Sequence, residues 1–170
     1  MKTAKRLLAL ALAGVMALAL LTGCSDSRSK AKQVEECFRS LMKTRQNVDY
    51  QKDETLDKKL EAIAQQFQPD WLDNRTGGLT EHARTIIINE LRGYLLTGSV
   101  WLWYGEVKPG QSALAQAESM KYSQGIEIAL LDSGIPTLQA IAFTMTGKKS
   151  DGHRYYLALR TNATIKTPQN

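Results

Sequence analysis

The sequence predicts an α+β fold in which about three N-terminal helices pack on an antiparallel sheet of about four strands. Up to about residue 96, apolar residues recur at the three- to four-residue spacing of amphipathic helices. From Ser99 onward the apolar period changes to two, which is typical of strands. Because the helices precede the strands, we expect them on one face of the sheet.

Residues 1–23 have the pattern of an export signal. Lys2, Lys5 and Arg6 precede an uncharged run from Leu7 to Thr22, which is shorter than the roughly 20 residues that a helix needs to cross a bilayer. A basic start followed by a short apolar core is typical of such signals. The run ends in Leu21-Thr22-Gly23-Cys24, which resembles the lipobox of bacterial lipoproteins.

The lipobox resemblance implies that a signal peptidase cuts before Cys24 and that the Cys24 thiol carries a diacylglyceryl group. The palmitate-like chains would anchor the protein outside the cytoplasmic membrane, since two acyl chains give stable binding. Ser25 after the cysteine implies sorting to an outer membrane if the host has one. An uncleaved anchor helix and secretion with a free Cys24 are the alternatives.

The mature chain carries little net charge. Removing residues 1–23 takes away three cations and no anions, which leaves 147 residues with 19 basic and 17 acidic side chains. This balance argues against nucleic-acid binding. Residues 24–31 are predicted to be the lipidated Cys and a flexible tether, and residues 32–167 a single domain. With Cys24 lipidated, Cys37 has no disulfide partner.

Two helices are predicted at the start of the domain. The first runs from about Lys32 to Asn47 and places Cys37 on its apolar stripe, where we expect an inert core thiol. The second runs from about Glu54 to Phe67 and is ended by Pro69.

A third helix is predicted from Thr80, a suitable N-cap, to about Leu96. Thr97-Gly98 is expected to end it. The β-branched triplet Ile86-Ile87-Ile88 weakens this assignment.

The strands follow. Ser99 to Val107 alternates, with Val100, Leu102 and Tyr104 on one face and the tryptophans on the other. Residues 111–120 fit either a helix or a strand. Three more strands are predicted, from Gly125 to Leu131, from Thr137 to Thr146 and from Arg154 to Ile165. Residues 147–152 are expected to join the last two as a hairpin loop.

This order of elements resembles the nuclear transport factor 2-like, or cystatin-like, domains. The one local motif that supports the resemblance is Phe67-Gln68-Pro69-Asp70-Trp71 after the second helix. The resemblance covers about Lys32 to Ile165 and implies a sheet curved into a cone around a pocket. It implies no function, because such folds host enzymes, binders and scaffolds.

The sequence lacks the common catalytic and metal motifs. His82 and His153 are far apart, and no cysteine spacing fits zinc. No phosphate-binding loop and no serine-hydrolase elbow occur. Asp132-Ser133-Gly134 resembles the aspartic protease signature, but it occurs once and near the end of the chain, so we predict a turn. No metal and no cofactor are predicted.

Aromatic residues crowd the strands and are the candidates for a pocket. Mostly apolar pockets with a few polar groups are typical ligand sites, although burial in the core or in a dimer surface is the alternative. The candidate pocket residues are Trp101, Trp103, Tyr104, Glu127 and Tyr155. The candidate acids and bases are Glu106, Glu127, Asp132 and His153.

These observations predict a lipid-anchored extracytoplasmic binding domain. Its expected partners are the membrane, through Cys24, and a small apolar ligand or an envelope protein. A homodimer through the sheet is left open, and nucleic acid is excluded. The alternatives are an enzyme that uses a pocket carboxylate or histidine, and an envelope assembly factor without a small ligand.

Overall fold

A computed structural model describes residues 27–71, 78–123, 125–129 and 138–165. They form an α+β fold, which confirms the predicted class. The described elements are α1 (Ser27–Gln46), α2 (Glu54–Gln66), α3 (Glu81–Leu91), β1 (Leu95–Glu106), α4 (Ala113–Glu118), β2 (Lys121–Tyr122), β3 (Ile126–Ala129), β4 (Leu138–Met145) and β5 (Tyr155–Ile165). Pro69–Trp71 forms a 3₁₀ turn after α2.

The strands form one open antiparallel sheet. Its order is β2-β1-β5-β4, and β3 also pairs with β1. The described residues therefore contain five strands, and β2, of only two residues, is the one that the sequence did not predict. The ambiguous residues 111–120 contain the short helix α4, with Ser112 as its N-cap.

The helices divide between the two faces of the sheet. Helices α2 and α3 pack with Leu102, Leu159 and Ala142 in one core. Helices α1 and α4 pack with Trp103 and Ala158 in a second core. Because successive residues of a strand point to opposite faces, these cores lie on opposite sides. The expectation of helices on one face is therefore wrong. The strands are apolar on both faces, which is the pattern of a sheet covered twice.

Local signals place most of the helix ends. The Asp53 side chain accepts a hydrogen bond from the Leu56 N–H at 2.7 Å, which caps α2. Thr80 caps α3 as predicted, through the Ala83 N–H. Asn47, with φ of 52°, follows the last residue of α1, a position where Asn tolerates the left-handed region.

Two predicted helix boundaries are wrong. Helix α3 ends at Leu91 and not near Leu96, because Gly93 turns the chain with φ of 86° and β1 begins at Leu95. Gly98 lies inside β1 with φ of 124°, so it does not end a helix. Helix α1 begins at Ser27, and it therefore extends into the segment predicted as a tether.

Several predicted features lie outside the described residues. They are the leader, the lipobox with Cys24, and the Asp132-Ser133-Gly134 motif. Both hydrophobic cores are built from residues between Ala31 and Ile165.

Candidate functional site

A cleft of about 260 Å³ opens where α1 stops covering the second face of the sheet. Its floor is formed by side chains of the central strands β1 and β5 and of the edge strand β4. Trp101 lies opposite Arg160, and Gln139 lies opposite Asn162, in the strand register. The cleft is lined by Gln46, Val48, Tyr50, Trp101, Gln139, Arg160 and Asn162.

The segment after α1 forms a fixed wall of this cleft. The Gln51 N–H donates to the Gln139 carbonyl at 3.0 Å, and the Ile141 N–H donates to the Gln51 carbonyl at 3.3 Å. Gln51 is thereby bridged to Ala140 as a parallel extension of the β4 edge. These bonds hold Val48 and Tyr50 beside the sheet, so the wall does not depend on side-chain packing alone.

Arg160 and Trp101 stack on the floor of the cleft. The guanidinium carbon of Arg160 lies 3.8 Å from the centroid of the Trp101 ring. This cation–π contact is worth about 0.5–2 kcal/mol, depending on desolvation. It places the guanidinium over one face of the indole.

The charge of Arg160 has no counterion within the described part of the chain. The ion pairs found there join other residues. The Arg160 Nε is buried, and no described group accepts a hydrogen bond from it. Since a buried donor without a partner costs stability, a group that accepts a hydrogen bond from the Arg160 Nε–H would remove such a cost.

Two carboxylates near this end of the sheet already have partners. Asp49 lies between two lining residues and is paired with Lys43 at 2.9 Å. Glu127, which the sequence offered as a pocket residue, is exposed and accepts a hydrogen bond from the Ser99 hydroxyl at 2.7 Å. Neither forms an ion pair with Arg160.

The five predicted pocket residues do not meet in one site. Trp101 lines the cleft described above, whereas Trp103 is 8% exposed and packs edge-on against Phe38 in the second core. Tyr104 and Tyr155 line a different cleft, of about 210 Å³, near the β2 edge of the sheet. Of the four aromatic residues, Trp103 is therefore a core residue, Trp101 lines one cleft, and the two tyrosines line another.

The β4–β5 hairpin brings two predicted acid–base residues together. His153 Nδ1 lies 2.9 Å from Glu106 Oε1, but both side chains are well exposed. Glu106 lines the second cleft and His153 does not. The geometry of this exposed pair supports a brace between the end of β1 and the hairpin.

In the same hairpin, Asp151 and Tyr155 shift each other's pKa. The Tyr155 hydroxyl donates to Asp151 Oδ2, and the His153 N–H donates to Asp151 Oδ1. These hydrogen bonds lower the pKa of Asp151. Burial, together with the Asp151 carboxylate, raises the pKa of Tyr155 to about 12. At neutral pH the tyrosine is a neutral donor and the aspartate a charged acceptor.

Cys37 has the environment of a structural thiol. It is half-buried at the edge of the second core and is not in a disulfide. Burial, assisted by the charges of Glu36 and Glu118, raises its pKa. A raised pKa disfavours the thiolate, which is the nucleophilic form. This agrees with the inert thiol that the sequence predicted.

A third cleft, of about 410 Å³, lies between α2 and the end of β4. Its lysine, Lys149, is engaged: Nζ donates to the carbonyls of Ala64 and Gln65 at 2.7 and 3.0 Å. A cation that satisfies the last carbonyls of a helix is a capping interaction. The lysine is therefore committed to the fold.

Sequence reasoning missed Arg160, Tyr50 and Gln139. One signal was present, since Arg160 is a charged residue that follows the core residues Tyr156 and Ala158 on the same face of a strand. Its position opposite Trp101 depends on the pairing of β1 with β5, which the sequence does not specify.

No family model, curated protein or solved structure matches this chain. Within residues 27–71, 78–123, 125–129 and 138–165, no three His, Cys, Asp or Glu side chains are grouped to hold a metal ion. The described helices include none that is long and apolar enough to span a membrane.

Proposed function

We propose that this protein is a lipid-anchored extracytoplasmic binding domain whose small ligand occupies the cleft over Trp101 and Arg160. The observation that carries the proposal is the stacked arginine, which lines an open cleft and has no counterion among the described residues. Ligand sites combine shaped clefts with a few oriented polar groups, and this cleft has both.

The lining favours a more polar ligand than the sequence suggested. Three of the lining side chains are amides, those of Gln46, Gln139 and Asn162, and Arg160 supplies a guanidinium. Tyr50 adds a hydroxyl. The small apolar ligand and the sheet-mediated homodimer remain predictions, and the helices on both faces favour neither of them.

The anchor is tested by acyl labelling in a bacterial host. We expect a palmitate analogue to label the wild-type chain and not Cys24→Ser, because the thiol is the acceptor. Cys37→Ser is the matched control and should label like the wild type. Labelling of Cys24→Ser, or a wild-type chain without label, would contradict the anchor.

The ligand site is tested by nuclear magnetic resonance on ¹⁵N-labelled full chain in mild detergent, titrated with the small-molecule fraction of a cell-envelope extract. The indole N–H signals of Trp71, Trp101 and Trp103 report three environments. We expect the Trp101 signal to shift while the two buried indoles stay fixed. Equal shifts in all three, or none at Trp101, would exclude the cleft.

A further inference from the structure

We infer that the ligand of the Trp101–Arg160 cleft carries a compact oxyanion, a carboxylate or a phosphate, that pairs with Arg160. This inference rests on the proposed function, since it specifies the chemistry of the same site.

The stacking leaves the guanidinium ready to bind an oxyanion. The guanidinium carbon lies over the Trp101 ring, 3.8 Å from its centroid, and the N–H donors of arginine all lie in the guanidinium plane and point outward from its edge. A carboxylate or phosphate binds arginine at this edge through two parallel hydrogen bonds. The contact with Trp101 thus restrains the guanidinium before a ligand binds.

The charges around the cleft also favour an anion. Arg160 is the charged residue among the lining side chains. Two carboxylates near the cleft in sequence or register, Asp49 and Glu127, are held by Lys43 and by the Ser99 hydroxyl. An oxyanion that enters the cleft therefore meets a cation without a counterion among the described residues, and it displaces none of the ion pairs found there.

The remaining lining groups suit the rest of a small molecule. The amides of Gln46, Gln139 and Asn162 can donate and accept. A volume of about 260 Å³ lies slightly below the roughly 300–1,000 Å³ that is typical of ligand pockets. It fits a fragment-sized acid better than an extended chain.

The test compares benzoate with benzamide, which has nearly the same shape and no charge. Both are titrated into ¹⁵N-labelled full chain at low salt, with inorganic phosphate as a third probe. We expect benzoate, phosphate or both to move the Trp101 indole and Arg160 Nε–H signals with a Kd on the order of 1 mM. Benzamide should bind at least about tenfold more weakly.

Two variants separate the site from the general charge of the surface. Arg160→Lys keeps the charge and loses the planar fork, and we expect about a tenfold loss of benzoate affinity. Arg45→Gln removes an exposed charge from the last turn of α1, one residue before the lining residue Gln46. It should change the affinity less than about twofold at moderate salt. Dispersed spectra of both variants establish that they are folded.

The outcomes distinguish this inference from the proposed function. Benzamide that moves the Trp101 signal as strongly as benzoate would overturn the oxyanion and leave the cleft as a ligand site. No shift with benzoate or phosphate at about 10 mM would also overturn the inference, while the envelope-extract titration decides the cleft separately. A loss of affinity in Arg45→Gln that is as large as or larger than the loss in Arg160→Lys, which keeps its charge, would assign the binding to surface charge.

Discussion

Arg160 is a better guide to the function of this protein than the motifs in its sequence. It is half-buried, stacked on Trp101 and without a counterion in the described part of the chain. A buried or half-buried cation is normally paired. The proposed function rests on the absence of a partner among the described residues, and a catalytic motif in the sequence could not have pointed to it.

The hydroxyl of Tyr155 gives a prediction for alkaline pH. The pKa of Tyr155 is raised to about 12 in the folded state, against about 10 in an unfolded chain. The resulting stabilisation is fully present below about pH 10, and it is lost as the pH rises through about 12.

Replacing Asp151 removes one of the causes of the raised pKa of Tyr155. In Asp151→Asn the phenolate of Tyr155 no longer meets the carboxylate, so we expect its pKa to fall towards about 10. Phenolate absorbance, assigned by subtraction of Tyr155→Phe, measures this. Asp49→Asn is the control, because Asp49 pairs with Lys43 at another site. An unchanged titration of Tyr155 in Asp151→Asn would refute the coupling.

The thiol of Cys37 gives a prediction about reactivity. Because burial and two nearby carboxylates raise its pKa, we expect a disulfide reagent to label it at least about tenfold more slowly in the folded than in the urea-unfolded protein. Mature chain with Cys24→Ser leaves Cys37 as the single thiol. Similar rates in the two states would contradict its assignment as a structural residue.

At the level of the elements, Gly98 determines how closely β1 approaches β5. A Cβ at Gly98 would lie 2.5 Å from the Ala163 Cα and from the Asn162 carbonyl oxygen. Its φ of 124° is also unfavourable for other residues. Both backbones would have to move to accept a side chain.

We therefore expect Gly98→Ala to lower the free energy of unfolding by roughly 3 kcal/mol. Gly147→Ala is the matched control, because a Cβ there meets nothing within 4 Å, and it should change stability by about 0.5 kcal/mol or less. Urea titration of the two variants measures the difference. Equal stabilities would mean that β1 and β5 are not held as closely as described.

The elements also show what the sequence could predict. Apolar periodicity found α1, α2 and the three long strands, and Thr80 marked the start of α3. The end of α3 was missed because Leu95 continues the apolar helical spacing, although it begins β1. Propensity and spacing did not distinguish a Gly required by the sheet, Gly98, from one that ends a helix.

For the whole molecule, the pairing of strands was the missing information. The register of β1 with β5 places Arg160 beside Trp101 and places Trp103 beside Ala158 in a core. The arrangement of helices on both faces of the sheet was equally hard to predict. A strand that is apolar on both sides fits either a sheet covered on both faces or a sheet that lines a pocket. Local sequence determines which face a residue is on, and long-range pairing determines what it meets.

The central claim is that the cleft over Trp101 and Arg160 holds a ligand in the cell. The most direct measurement is native mass spectrometry of the full chain, purified gently from its own envelope, for the wild type, Arg160→Ala and the control Arg45→Ala. Arg45 is exposed in the last turn of α1 and does not line the cleft. We predict an extra mass on the wild type and on Arg45→Ala that is absent from Arg160→Ala. An adduct that all three chains retain equally, or a wild-type chain with no adduct, would contradict the claim.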